Sequence, residues 1–157
     1  MTNHHIAAML FNIATLLDET QDNLYRVRAY RRAARRILAL TEEATAIVAR
    51  GEELPLPGVG VRIRHKLAEL LATGSLTFYD DLLEELPLPV RSLMALDGIG
   101  PKTAQRLHDE LGLCSAHDLI AAAEQGKIHE LYGFGVRRES NLARAARNAV
   151  GGLPDVA

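Results

Sequence analysis

Apolar residues near the start of the chain recur at helical spacing, which predicts a first helix over roughly residues 4–18. The positions that repeat every three or four residues are Ile6, Leu10, Ile13 and Leu17. A second helix is predicted from about residue 22 to residue 40. Its expected buried side consists of Leu24, Val27, Ala34 and Leu38.

Capping residues mark the ends of further helices. Thr41 is suited to cap a third helix, which would stop at Gly51. Three later glycines stand where helices end: Gly74, Gly112 and Gly126. Ser75 and Ser115 stand at N-cap positions, and Ser115 to Asp118 resembles a capping box. The pattern predicts an all-α fold.

Two prolines interrupt this series of helices. Pro87 and Pro89 follow a helix predicted near residues 76–85, and proline breaks a continuing helix. A chain of 157 residues has room for two small domains. The predicted organisation is therefore two helical subdomains, residues 1–86 and 87–150, followed by a frayed tail over 151–157.

The composition agrees with helix and gives no sign of a membrane protein. Ala, Leu and Arg dominate, and residues that favour strands are scarce. No apolar run approaches the roughly 20 residues that span a bilayer, and the first residues lack the pattern of a signal peptide. A cytoplasmic protein without a membrane partner is expected.

The charge is unevenly distributed along the chain. The formal net charge is −2, yet six arginines and no acidic residue lie between Tyr25 and Ile37. These arginines are Arg26, Arg28, Arg31, Arg32, Arg35 and Arg36. A nearly neutral total can thus include a strongly basic surface, which favours binding to a nucleic-acid backbone.

A short motif occurs three times with the pattern Leu, any residue, Gly, apolar residue, Gly. The three copies span residues 56–60, 96–100 and 131–135. Their glycines are Gly58, Gly60, Gly98, Gly100, Gly133 and Gly135. A basic residue follows two positions after each second glycine, namely Arg62, Lys102 and Arg137. A predicted helix follows each copy, so the motif is typical of a helix-hairpin-helix.

The motif is suited to binding a phosphate through the main chain. Two glycines allow a tight turn with positive φ and leave no Cβ in the way of an approaching anion. Val59, Ile99 or Phe134 can anchor the turn in the core. The free N–H groups of the next helix then bind the phosphate, assisted by the basic side chain. Such contacts bind DNA without reading its bases.

The glycines also allow two other interpretations. In the first, the glycines only form turns that connect packed helices. This interpretation does not explain why a basic residue follows each copy at the same position. A nucleotide-binding loop is excluded because neither the P-loop pattern nor a complete Gly-x-Gly-x-x-Gly after a strand is present.

These motifs resemble, in order, the N-terminal region of family X DNA polymerases, from about residue 3 to residue 149. The resemblance implies a lyase-type helical domain followed by a fingers-like helix-hairpin-helix domain. The sequence contains no counterpart of the polymerase palm, so we expect no polymerase activity from it. In this family the first domain recognises the 5′-phosphate at a DNA gap, and some members also remove 5′-deoxyribose phosphate.

The resemblance assigns roles to individual residues. Lys66 falls where the family has its nucleophilic lysine, and Arg62, Arg64 and His65 are expected to favour its neutral form through charge repulsion. Arg26 and Arg62 fall at phosphate-holding positions of the family, Tyr25 falls where a ring can stack on a template base, and Tyr30 is retained. Arg28 is also expected to contact DNA, although the resemblance does not assign it that role. Two departures weaken the lyase assignment: Phe78 lies near a position that is basic in the family, and His65 replaces an acidic residue.

The family also implies Na⁺ or K⁺ on backbone carbonyls of the hairpins, and no other cofactor. By position, these carbonyls belong to Leu54, Leu56 and Val59 in the first hairpin and to Met94, Leu96 and Ile99 in the second.

Three hypotheses follow for the function. The first is binding to gapped, nicked or 5′-phosphorylated DNA in repair, without base specificity. The second is a deoxyribose-phosphate lyase that uses Lys66. The third is a protein-interaction module with the hairpins as scaffold, in which the partners would be other repair proteins.

Overall fold

The structure is a computed structural model that describes residues 1–151, and every regular element in this range is a helix. The all-α prediction is confirmed. Most of the predicted frayed tail, residues 152–157, lies outside the described residues, whereas Gly151 belongs to the last helix.

The chain forms two compact units, the first spanning Met1–Glu85 and the second beginning at Leu86. The first unit contains five helices: α1 Asn3–Glu19, α2 Leu24–Leu38, α3 Ala44–Ala49, α4 Val61–Thr73 and α5 Thr77–Glu84. The second contains four within the described range: α6 Leu88–Met94, α7 Pro101–Leu111, α8 Ala116–Glu124 and α9 Val136–Gly151. Assigning these units as lyase-type and fingers-like domains stays a prediction.

The core of the first unit forms where α1 packs on α2. The four predicted apolar positions of α1 are all buried. On α2 the buried residues are Val27, Tyr30, Ala33, Ala34 and Ile37. Leu24 and Leu38 were wrongly predicted to be buried: they are 50% and 43% exposed, because they are the terminal residues of α2, where its packing against the core ends.

Two predicted helix caps are wrong, because a side chain from another element takes the capping role. Helix α3 begins at Ala44, whose N–H donates to Asn3 Oδ1 at 2.8 Å, and not after Thr41. At the start of α5, the Thr77 N–H donates to Glu69 Oε1 at 3.0 Å, so Ser75 has no capping bond there.

Other helix ends follow the prediction. Gly74, Gly112 and Gly126 have φ of 78°, 68° and 68°, the left-handed conformation expected after a helix. Ser115 caps α8, since its Oγ accepts from the Asp118 N–H at 3.2 Å. The Asp118 carboxylate accepts from the Cys114 N–H at 2.9 Å, one residue before the donor expected in a capping box.

In the second unit α6 packs on α7, and α8 packs on α9. The fully buried large residues of this unit are Leu93, Leu107, Leu119 and Ile128. Across residues 1–151, none of the helices combines the length and the apolar character needed to cross a membrane.

Candidate nucleic-acid interface

The three hairpins share one backbone arrangement. In each copy the apolar residue donates its N–H to the carbonyl of the leading leucine: Val59 to Leu56 at 3.2 Å, Ile99 to Leu96 at 3.2 Å and Phe134 to Leu131 at 3.1 Å. The first glycine of each copy has positive φ: Gly58 78°, Gly98 83° and Gly133 82°. The repeated sequence therefore encodes a repeated turn.

The second glycine of the hairpin has a different role from the first. Gly60 and Gly100 have extended backbones and are the N-caps of α4 and α7, without any side-chain cap. A Cβ placed on Gly60 or Gly135 would meet no atom within 4 Å. Only the first glycine needs positive φ, whereas the second keeps the helix N-terminus open to an approaching group.

The side chains beside the turns divide into buried anchors and exposed cations. Val59, Ile99 and Phe134 are buried, as predicted. Arg62, Lys102 and Arg137 lie exposed in the first turns of α4, α7 and α9. None of these three forms an ion pair with an acidic side chain in the described part of the chain. Their charges are thus available to an external anion.

One side of α2 forms an arginine groove, a name used here for an open depression of about 650 Å³. It is lined by Arg28, Arg31, Arg32, Arg35, Arg36 and Ala39. Arg31 is paired with Asp18 at 3.2 Å, and Arg32 donates to the carbonyl of Gly58 at 3.4 Å. The second contact joins the groove to the first hairpin.

A smaller pocket of about 310 Å³, here called the Lys66 pocket, lies between α2 and α4. Its lining consists of Arg26, Ala29, Tyr30, Gly60, Val61, Arg62, Ile63 and Lys66. The pocket thus combines three cationic side chains with the open second glycine of the first hairpin. These are the features that a bound phosphate requires.

Phe78 of α5, known from the sequence only as a departure from the family, contacts the cations of this site. Its ring lies 5.0 Å from Lys66 Nζ and 5.7 Å from the guanidinium carbon of Arg26. It also stacks on Tyr30 with ring centroids 6.1 Å apart. Phe78 therefore holds two of the cations through the face of its ring.

The two tyrosines predicted to contact DNA differ in exposure. Tyr25 is 80% exposed at the start of α2, so its ring can stack on a base. Tyr30 is 3% exposed and forms a wall of the Lys66 pocket, so its ring face is not available to a base. Burial raises the pKa of the Tyr30 hydroxyl above 10, although the neighbouring Arg26 acts in the opposite direction.

Arg64 does not have the role predicted for it. Its guanidinium donates to the carbonyls of Leu54, Leu56 and Val59 at 3.0, 2.7 and 3.1 Å. It is therefore held under the first hairpin, and it lines neither of the two depressions that Lys66 lines. The same three carbonyls were predicted to hold a monovalent cation, so this cation does not fit the first hairpin.

The third hairpin is supported by two arginines that the sequence pattern did not reveal. Arg106 donates to the carbonyl of Tyr132 at 2.8 Å. The guanidinium carbons of Arg106 and Arg138 lie 4.9 and 4.4 Å from the centre of the Phe134 ring. Tyr132 at the tip is 93% exposed. No local sequence motif predicts these contacts, because they form where residues of α7 and α9 pack against the third hairpin.

Comparisons with known proteins agree with this geometry. Residues 1–76 match the family model of a helix-hairpin-helix domain, and residues 90–148 match that of a SAM-like helix-hairpin-helix tandem. The chain is also similar to the DNA polymerase/3′-5′ exonuclease PolX of Bacillus subtilis (strain 168), with 30% identity over 149 residues. The aligned part covers 95% of this chain but 26% of that relative, so the chain spans about a quarter of its length.

Proposed function

We propose that the chain binds DNA through phosphate contacts, because residues 1–76 and 90–148 match helix-hairpin-helix models and the chain resembles part of a family X DNA polymerase. The proposed targets are gaps, nicks and 5′-phosphorylated ends that arise in repair. Base sequence has no influence on this binding, since the hairpins offer main-chain amides and cations to the backbone.

The Lys66 pocket carries the proposal. Arg26, Arg62 and Lys66 meet there beside Gly60, where neither a Cβ nor a capping side chain blocks the N-terminus of α4. A terminal phosphate has more charge and more free oxygens than an internal phosphodiester. The pocket is therefore expected to prefer a 5′-phosphate within a gap over uninterrupted duplex.

Paired DNA substrates test this preference. Affinity is measured on two gapped duplexes that differ only in a 5′-phosphate or a 5′-hydroxyl at the gap. We expect the phosphate to strengthen binding about tenfold, and Arg62→Ala to remove most of the difference, since a hydrogen bond to a charged group contributes roughly 1.5–3 kcal/mol. Arg50→Ala is the control, because Arg50 is paired with Glu42 and Glu52. Equal affinity for both gaps and for intact duplex contradicts the proposal.

The position of Lys66 favours a second activity, the removal of 5′-deoxyribose phosphate from DNA. The neutral amine of Lys66 would attack the C1′ aldehyde and form a Schiff base with loss of water. Transfer of a C2′ proton to a base, such as water, then breaks the C3′–O bond and leaves a 5′-phosphate on the DNA. Hydrolysis of the imine releases the unsaturated sugar phosphate and restores the Lys66 amine. Lys66 lines the same pocket as Arg26 and Arg62, which would hold the substrate's phosphate.

Borohydride trapping tests this activity separately from binding. The wild-type protein is expected to form a covalent adduct with DNA carrying 5′-deoxyribose phosphate, and Lys66→Arg is expected to lose the adduct while it keeps the charge that supports binding. Lys127→Ala is the control, since Lys127 is an exposed lysine of the second unit. Tight binding of the wild type without any adduct would eliminate the lyase and leave the DNA-binding proposal intact.

A further inference from the structure

Arg64 occupies the centre of the first hairpin. It lies four residues after the second glycine, in the first turn of α4, where its N–H donates to the Gly60 carbonyl at 3.1 Å. Its three donor nitrogens each bind one hairpin carbonyl, at distances typical of hydrogen bonds from a charged donor. One guanidinium thus satisfies, with a single positive charge, the carbonyls of Leu54, Leu56 and Val59.

The corresponding position of the second hairpin is Ala104. Its N–H donates to the Gly100 carbonyl at 2.9 Å, which is the same register as that of Arg64. Ala104 has only a buried methyl group and no donor to offer. Ala104 therefore cannot donate a hydrogen bond to the carbonyls of Met94, Leu96 and Ile99 through its side chain.

The third hairpin has Glu139 in this register, with its N–H donating to the Gly135 carbonyl at 3.0 Å. The Glu139 carboxylate accepts from the His129 N–H at 2.8 Å and lies 2.9 Å from His129 Nδ1. His129 precedes the second glycine by six residues, as Leu54 does in the first hairpin. The first hairpin joins Arg64 to Leu54, and the third joins Glu139 to His129 at the corresponding positions. In the first hairpin the helix residue is the donor, whereas in the third it is the acceptor.

We propose that Arg64 is an internal substitute for the monovalent cation of the first hairpin. The first hairpin then keeps its shape without Na⁺ or K⁺, and the third is fixed by its carboxylate. In the second hairpin this register supplies neither a donor nor a carboxylate, so a cation is expected on its carbonyls. The position four residues after the second glycine determines which arrangement each hairpin has.

The replacement of a cation by Arg64 bears on the proposed DNA binding, and this part of the inference rests on that proposed function. A bound cation adds a positive charge behind the turn that faces the phosphate, and Arg64 supplies this charge permanently. Because the guanidinium is tethered to α4, no free ion has to be recruited. The charge is 3.5 Å from exposed Glu53 and 30% exposed, so part of it remains open to solvent.

Residue-resolved NMR of the full chain tests the proposal without DNA. Amide spectra are recorded as KCl replaces choline chloride at constant ionic strength. The wild type is expected to show no saturable shift at Gly58, Val59 or Gly60. Arg64→Ala is expected to gain a saturable K⁺ response at these three amides, and its thermal midpoint should rise with K⁺ more than that of the wild type.

Two further variants complete the test. Arg62→Ala removes a charge from the same helix turn without touching the carbonyls and should gain no K⁺ response. If Arg64→Ala does not fold, Arg64→Met keeps most of the stem while removing the donors. A saturable K⁺ response of the wild-type first hairpin overturns the proposal, as does a folded variant whose hairpin ignores K⁺. Since none of these measurements involves DNA, failure of DNA binding would not affect their interpretation.

Discussion

The two glycines of each hairpin carry out separable tasks at the scale of single residues. Gly58 has φ of 78°, a conformation that costs other residues roughly 1–2 kcal/mol. Gly60 has an extended backbone that any residue can adopt, and open space where its Cβ would be. One glycine therefore shapes the turn, and the other leaves room for the ligand.

Alanine substitution at these glycines should separate stability from binding. Gly58→Ala is expected to lower the free energy of unfolding by about 1 kcal/mol, because the strained backbone outweighs the gain from a stiffer unfolded chain. Gly60→Ala should cost roughly 0.5 kcal/mol as a poorer N-cap but weaken binding to gapped DNA about tenfold, as the methyl group displaces a phosphate. Urea unfolding and DNA titration measure the two effects, and a binding loss confined to Gly58→Ala would contradict this division.

Sequence reasoning located the hairpins because their pattern is local. The turn, the buried anchor and the exposed cation all follow from a few neighbouring residues, and the structure reproduces the turn and the anchor in all three copies. From the sequence, Arg64 was expected to act on Lys66, and Phe78 was known only as a departure from the family. The contacts of Arg64 depend on the direction of its long side chain, and those of Phe78 depend on where α5 packs. Neither can be read from spacing.

At the scale of helices, the predicted ends held where the capping group is the neighbouring residue. Gly74, Gly112 and Ser115 are such cases. The predictions failed at Thr41 and Ser75, where Asn3 and Glu69 reach across from other helices to bind the first N–H groups. A cap supplied across the fold leaves no signal in the adjacent sequence.

The link between the third hairpin and α9 is expected to weaken in acid. Although burial raises the pKa of the Glu139 carboxyl, its hydrogen bonds from His129 outweigh this and lower the pKa below the ordinary value of 4.5. A lowered pKa in the folded state adds stability that is complete above 4.5 and is lost as the pH falls through the folded-state pKa.

Glu139→Gln tests this link. The variant should be less stable than the wild type at pH 7. The difference should begin to shrink below pH 4.5 and continue to shrink as the pH falls through the folded-state pKa, because the Glu139 carboxyl then becomes neutral like the amide. Unfolding by urea at pH 7, 5 and 3.5 measures the difference. Glu130→Gln, which changes an exposed acid beside His129, serves as the control. A difference that stays constant over this range would rule out the carboxylate as its source.

At the scale of the whole molecule, the net charge is a poor guide to what the protein binds. The total is −2, but α2 contains six arginines and no acid. Arg28, Arg35 and Arg36 line the arginine groove and form no ion pair with a described acidic side chain. This helix therefore contributes to the electrostatic part of the proposed DNA binding, together with the cations beside the hairpins.

Salt dependence measures the number of such contacts. Each phosphate that the protein neutralises adds about 0.9 to the slope of log affinity against log salt concentration on duplex DNA. Arg28→Ala is expected to reduce that slope by about 1, whereas Arg50→Ala should leave it unchanged, since two glutamates already neutralise Arg50. Equal slopes for wild type and Arg28→Ala would remove Arg28 from the interface.

The concentration of positive charge on one helix also governs how the protein and a nucleic acid meet. Because its net charge is −2, the protein is weakly repelled by a nucleic acid at a distance. At close range, the uneven distribution of its charges produces a torque. For the proposed DNA binding, the arginines of α2 would turn this helix of the first unit toward the strand before any contact forms. Because Arg32 contacts the Gly58 carbonyl, such an orientation would also bring the first hairpin near the strand and raise the association rate.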